Sequence, residues 1–170
     1  MPVTAERVIN AAEQAEFHNY AVAGLKMLGR QASAEPAALV GAIDEFVDKH
    51  HRTPVGFISK LFKQKQNNTE AALALGIVWG NQVVREFGWE WTCITSDGHD
   101  YYVVAAPDRS LAIYATYFIK ECLDFATADC TAMLSFNMML AKSFPQQPAG
   151  SYTSMMPGVF RLVPKSAVAT

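Results

Sequence analysis

The stretch 76-GIVWGNQVVREFGWEW-91 holds all three tryptophans of the chain and three of its ten glycines. Leu73, Ile77, Gly80, Val84 and Phe87 recur at helical spacing, with Gly76, Trp79 and Val83 on the neighbouring stripe. Only Glu70, Asn81, Arg85 and Glu86 supply a polar face. The pattern predicts a helix capped by Thr69, running from Glu70 to about Phe87 and placed centrally in the fold. A glycine inside a helix costs about 1 kcal/mol relative to alanine. Two of them one turn apart imply that another backbone packs closely there. Gly88 then ends the helix in the left-handed conformation.

Downstream, Trp89 to Thr95 alternates as a strand, with Trp89, Trp91 and Cys93 on one face. Ser96-Asp-Gly-His-Asp100 reads as a turn, and Tyr101 to Ala106 as a second strand stopped by Pro107. Pairing about that turn places Cys93 near Val103 and Trp91 near Ala105. Asp108-Arg-Ser110 is a tight connection to a third strand, Leu111 to Ala115. A helix is expected from about Thr116 to Phe125. A last, methionine-rich helix is expected over Cys130 to Phe144, capped by Asp129. Beyond Pro145 the composition turns to loop, with a late strand over Val159 to Val163 and a frayed end.

Upstream, Thr4 is a plausible cap for a first helix whose face holds Val8, Ala12, Ala15, Val22 and Leu25, broadened by Phe17, Tyr20 and Leu28. Gly29 is its stop. A second helix follows Ser33-Ala-Glu-Pro36, proline being tolerated in the first turn. Its apolar line is Leu39, Ile43, Phe46 and His50, and Lys49 to Arg52 suit the negative end of its dipole. Thr53-Pro54 opens a short amphipathic segment with Phe57, Ile58, Leu61 and Phe62 on one side.

The 170 residues suit one domain, 1–170, with 144–170 as a loop-rich tail. Half the residues are hydrophobic, 18% are charged and the net charge is −2, which excludes a disordered chain and gives no overall pull towards nucleic acid. Three cysteines without CxxC spacing fit a reducing compartment. MPVTAERVINAAEQ carries no apolar signal-peptide core, and no apolar run is long enough to span a bilayer. A cytoplasmic protein without a transmembrane segment is expected.

GIVWGNQVVREFGWEW, followed by DYYVVAAPDRSLAIYATYFI, resembles a family of uncharacterised bacterial domains. Their shared features are a Gly-x-x-Trp-Gly helix, a Gly-Trp-x-Trp strand start, a Pro-Asp-x-Ser connection and a strand running into a helix. The resemblance covers roughly Ala71 to Cys122, and Ala115 stands where the pattern has proline. It implies a small bacterial cytoplasmic protein, with some members in toxin–immunity settings, and it brings no catalytic group.

The residues themselves offer few chemical constellations. Asp97, His99 and Asp100 are too few and too close for a calcium loop or a zinc site, and Asp-Gly is explained by a hairpin turn. Cys93 lies mid-strand, where a thiol is buried and inert, so a pair with His99 is not favoured. His50 and His51 are adjacent and cannot chelate as an i, i+4 pair does; His18 stands alone. GxSxG, HExxH, GxxxxGK[ST] and GxGxxG are all missing. Between Lys49 and Lys65 five cations and no acid give +5 against −7 elsewhere. That run fits either a solvated face or a surface for an acidic partner. Met133, Met138 and Met139, with Met155 and Met156, suit core packing or an adaptable surface.

The expected fold is therefore α+β: a helical N-terminal half, a small antiparallel β-meander and C-terminal helices. The leading expectation is a non-enzymatic protein-binding module, toxin- or effector-neutralising in its specific form. Lys60, Lys63, Glu90 and Arg109 are its partner-binding candidates. The alternative is a ligand-binding or enzymatic domain with a pocket at Trp79, Trp89 and Tyr102, between the glycine-bearing helix and the sheet. A structural homodimer through the methionine-rich helix is the third reading. No catalytic residue, metal, cofactor or nucleic-acid partner is expected.

Overall fold

A computed structural model of the chain describes residues 3–52 and 68–157. Its elements are β1 (Val3–Val8), α1 (Ala11–Leu28), α2 (Pro36–Arg52), α3 (Asn68–Phe87), β2 (Glu90–Ser96), β3 (His99–Ala105), β4 (Leu111–Ile113), α4 (Ala115–Asp124), α5 (Ala132–Leu140) and β5 (Thr153–Ser154). The fold is α+β, with one sheet of order β1-β2-β3-β4-β5. Neighbours pair antiparallel except β4 and β5, which run parallel.

Two strands correct the expected arrangement, one at each end of the sheet. The chain begins with β1 rather than with a helix after Thr4. Asn10 caps α1 instead: its side chain accepts from the amides of Ala12 and Glu13, while Glu13 reaches back to the Asn10 amide, a capping box. Val8, expected on the helix face, is the 80% exposed end of the strand. The face of α1 that packs is Phe17, Ala21, Gly24, Leu25 and Leu28; Ala12, Ala15 and Val22 are exposed. At the other end, β5 arises inside the loop-rich tail. The amides of Thr153 and Met155 donate to the carbonyls of Ser110 and Ala112, both at 3.0 Å. The segment around Phe57 and the strand expected over Val159 to Val163 lie outside the described residues.

Helix α3 answers the question its glycines pose. A Cβ at Gly76 would lie 2.6 Å from the Thr116 Cα, so α4 packs backbone to backbone there. A Cβ at Gly80 would lie 2.1 Å from the end of the Trp91 indole, so β2 lays its tryptophan into that notch. On α1, Gly24 plays the same part, its missing Cβ facing the Ala74 carbonyl oxygen at 2.5 Å. Thr69 lies inside α3, which starts at Asn68. Gly88 ends it with φ +67°, in the region that favours glycine.

The β2–β3 hairpin is shifted by one residue from the expected register: Cys93 faces Tyr102 and Trp91 faces Val104. Ser96 and His99 form its last pair, leaving Asp97 and Gly98 as a two-residue loop with φ of 50° and 76°. Both values positive is the primed turn that matches strand twist. β4 ends at Ile113, and Ala115 already begins α4.

Helix α5 starts at Ala132, later than expected, with no side-chain cap from its own sequence. Asp44 of α2 supplies that function from across the core: its Oδ2 accepts from the Met133 amide at 3.1 Å. The main core lies between α2, α3, α4, α5 and the inner face of the sheet, around Trp79, Phe118, Ile119 and Phe136. The outer face buries a smaller cluster, Ile94, Val103, Ala105 and Ala112, beneath Tyr101, Tyr114 and Tyr152.

Candidate functional site

Successive residues of β1 point to opposite faces of the sheet, and this alternation builds two polar networks from Glu6 and Arg7. On the helix side, the Arg7 guanidinium grips Glu13 through both nitrogens, at 2.8 and 2.7 Å. Tyr102 donates to the same carboxylate at 2.6 Å. These bonds, from Arg7 above all, hold the Glu13 carboxyl down to about 2. Phe17 lies edge-on against both Trp91 and Tyr102.

On the outer side, Arg109 Nε donates to Glu6 at 2.9 Å and its Nη2 to Glu90 at 2.9 Å. Thr92 donates to Glu6 at 3.1 Å, and the Tyr152 hydroxyl donates to its other oxygen. Arg109 has φ +59°, set by the turn in which Asp108 accepts from the amide and hydroxyl of Ser110, at 3.0 and 2.7 Å. Burial works to raise the Glu6 carboxyl, but Tyr152, Thr92 and Arg109 together leave it below its usual value. Glu6 is therefore held ionised and reluctant to accept a proton, the opposite of a general base poised near neutral pH. The network is a clamp between the first and last strands.

Glu90 and Arg109 thus meet as one ion pair, while Lys60 and Lys63 lie outside the described residues. Trp79, Trp89 and Tyr102, the residues of the alternative pocket reading, are each engaged by neighbouring side chains. Trp79 is fully buried, its ring 5.4 Å from Phe118, and its indole nitrogen has no hydrogen-bond partner among the described residues. Trp89 packs against the main core, and Tyr102 is engaged by Glu13. No group of His, Cys, Asp and Glu among the described residues could hold a metal. The Thr95 hydroxyl donates to Asp100 at 2.7 Å.

The thiols are equally quiet. Burial pushes Cys93 up. Cys130 is raised well above its ordinary value by hydrogen bonding to Cys122, by burial and by Asp44, so neither Cys93 nor Cys130 favours a thiolate nucleophile. Asp44 itself is pushed up to about 6 by burial, against hydrogen bonds from Cys130 and from the amides of Met133 and Ala132. The His50 and His51 rings meet edge-on at 5.2 Å, and His51 Nε2 lies 2.7 Å from the Cys122 carbonyl.

Grooves among the described residues adjoin α4. A groove of about 320 Å³ between α3 and α4 is walled by Leu73, Thr116 and Tyr117. A second, of about 340 Å³, runs from Tyr117 past Lys120 and Phe125 to Met156. A third, of about 480 Å³, shares Tyr114 and Ser154 with the second and opens on the outer face of the sheet. The ridge between the first two carries Tyr117, 61% exposed, and its far end Phe125, 60% exposed. Their neighbours Lys120 and Asp124 form an i, i+4 ion pair. The sequence signal for this surface is Tyr101 with 114-YATY, which becomes one aromatic cluster only when β3 and α4 meet.

A cleft of about 280 Å³ between α1 and α3 takes in His18, Asn81, Gln82 and Arg85. Gln82 spends its amide nitrogen on the Val78 carbonyl, Asn81 accepts from the Trp91 indole, and Arg85 donates to the Ala34 carbonyl. The Gln82 Oε1 is buried with no hydrogen-bond partner among the described residues, while the other bonded groups are tied to the frame.

No protein-family model, curated protein or solved structure matches the chain. No helix among the described residues is long and apolar enough to cross a membrane.

Proposed function

We propose that the chain is a non-enzymatic protein-binding module that uses the α4 surface. The observation that carries this reading is the pair of exposed aromatic side chains, Tyr117 and Phe125, set beside two adjoining grooves and flanked by Lys120, Glu121 and Asp124. Protein interfaces favour such tyrosine and phenylalanine anchors within a charged rim. The lowered Glu6 and Glu13 carboxyls and the raised Cys93 and Cys130 thiols support a role in binding rather than turnover. Toxin or effector neutralisation in a bacterial cytoplasm is the specific form that the family resemblance suggests. Glu90 and Arg109 lie in the clamp and contribute shape more than free charge.

The test is protection and binding against an effector encoded beside the chain. Wild-type protein is expected to bind and neutralise it, and Phe125→Asp with Tyr117→Ala to lose binding by at least about tenfold, since truncated anchors cost roughly 2 kcal/mol or more. Undiminished binding by the double variant would overturn the assigned surface, and failure of the wild type to bind or protect would overturn the neutralising role. A second reading, self-association, draws on α5, where Leu134 and Leu140 are exposed. Sedimentation at high concentration separates the two, because a monomer excludes the homodimer.

A further inference from the structure

The third groove has a lining unlike the other two. Its aromatic walls are Tyr101, Tyr114 and Tyr152. Its remaining surface is Ser96, Ser151, Thr153 and Ser154. Every described residue that lines it therefore carries a hydroxyl, and none of them carries a charge. At about 480 Å³ it falls in the size range of small-molecule sites.

The fold holds this lining in place from several directions. Tyr101 stands edge-on to Tyr114 at 5.8 Å and tilted against Tyr117 at 5.7 Å. Tyr152 is anchored by its hydroxyl on Glu6 and by its amide on the Arg109 carbonyl at 2.8 Å. Ser151 donates to the Ser110 carbonyl at 2.9 Å and lies 3.0 Å from the Thr153 hydroxyl. Among the described residues, no hydrogen bond engages the Tyr101, Tyr114 or Ser154 hydroxyl. Each of these has one donor and two acceptor positions to offer. Burial, and then the nearby Tyr101, push the Tyr114 phenol up, so it stays a donor across the physiological range.

Ligand chemistry follows from that lining. With no lysine, arginine or histidine among its described lining residues the groove offers phosphate or carboxylate no opposite charge, and with no carboxylate among them it leaves a cation only the ring faces. A purely apolar ligand would strip water from many hydroxyls and return no hydrogen bonds. A neutral ligand studded with hydroxyls, but presenting C–H faces to aromatic rings, matches both halves of the surface. We propose that the groove between the outer face of β3, α4 and the Ser151–Ser154 segment is a binding site for a short uncharged saccharide. The site is separate in chemistry from the α4 protein-binding surface and stands or falls without it.

Titration of the whole chain with maltose, cellobiose and N,N′-diacetylchitobiose, followed by amide NMR and calorimetry, tests this. At least one is expected to bind saturably, with shifts centred on Tyr101, Tyr114 and Thr153. Tyr101→Ala, which removes a stacking wall, is expected to weaken binding about tenfold or more. Tyr114→Phe keeps the ring and removes only its hydroxyl; it is expected to weaken binding by about threefold to tenfold. Thermal unfolding of both variants shows whether they fold, and Tyr114→Phe serves if Tyr101→Ala does not. No saturable binding by any of the three sugars overturns the proposal. Saturable binding that Tyr114→Phe and a folded Tyr101→Ala leave unchanged overturns it as well.

Discussion

Asp44 is a buried carboxyl asked to do the work of a helix cap. Its Oδ2 accepts from the Met133 amide and holds the start of α5. Burial raises it from 3.8 to about 6, so the native state favours its protonated form. The stabilisation owed to that preference is fully present below the ordinary aspartate value and is lost as pH rises through about 6. A shift of this size corresponds to roughly 3 kcal/mol. Asp44→Asn keeps an acceptor for the Met133 amide and cannot ionise. Urea unfolding at intervals from pH 4 to pH 7 is therefore expected to show wild type losing stability relative to Asp44→Asn by about 2–3 kcal/mol as pH rises. A constant difference across that range would mean that Asp44 titrates normally. Nothing in Ile43-Asp44-Glu45 announces this, because α5 comes to Asp44 only through tertiary packing.

At the scale of elements, α3 is where helix propensity yields to close approach. Gly76 gives up about 1 kcal/mol of helix stability, but a Cβ there would lie 2.6 Å from the Thr116 Cα and 2.8 Å from its nitrogen, both backbone atoms. Gly76→Ala is therefore expected to destabilise by about 1–3 kcal/mol, despite the better propensity. Gly41 of α2 has nothing within 4 Å of where its Cβ would go. Gly41→Ala is expected to stabilise by about 0.5–1 kcal/mol. Denaturant midpoints of the two variants should move in opposite directions; a stabilised Gly76→Ala would mean that α3 and α4 can part at no cost. The close packing of this helix was legible in its glycine spacing, as were its Gly88 stop and the strands around Asp97-Gly98. The hairpin register was not, because a one-residue choice of turn closure decides it. β1 was hidden by its polar, largely exposed sequence, and β5 by its length of only two residues. Both owe their existence to partners far away in the chain.

The whole molecule is closed by contacts that join its ends. Glu6 and Tyr152 are separated by 146 residues, yet the hydroxyl of one meets the carboxylate of the other, with Arg109 bridging to Glu90 beside them. The sequence singles out Glu90 and Arg109 as partner-binding candidates, but their ion pair forms only when the β3–β4 turn meets the start of β2. Nothing in it relates Glu6 to Tyr152, since no local pattern joins two residues in opposite terminal regions. The same closure carries Tyr152 and Thr153 to the outer face and completes the hydroxyl-lined groove. A double-mutant cycle of Glu6→Gln and Tyr152→Phe measures how far the ends support each other. Each single change is expected to cost about 1–2 kcal/mol, because the Glu6 side chain is 30% exposed and the bond is partly screened. Their coupling is expected to be about 1 kcal/mol. If the clamp holds β5 on β4, Tyr152→Phe also speeds hydrogen exchange at the Thr153 and Met155 amides and leaves those of β2 protected. Additive single effects with unchanged exchange at Thr153 would instead show that β5 is held by its own ladder, and that the tyrosine contributes only its packing against the outer face.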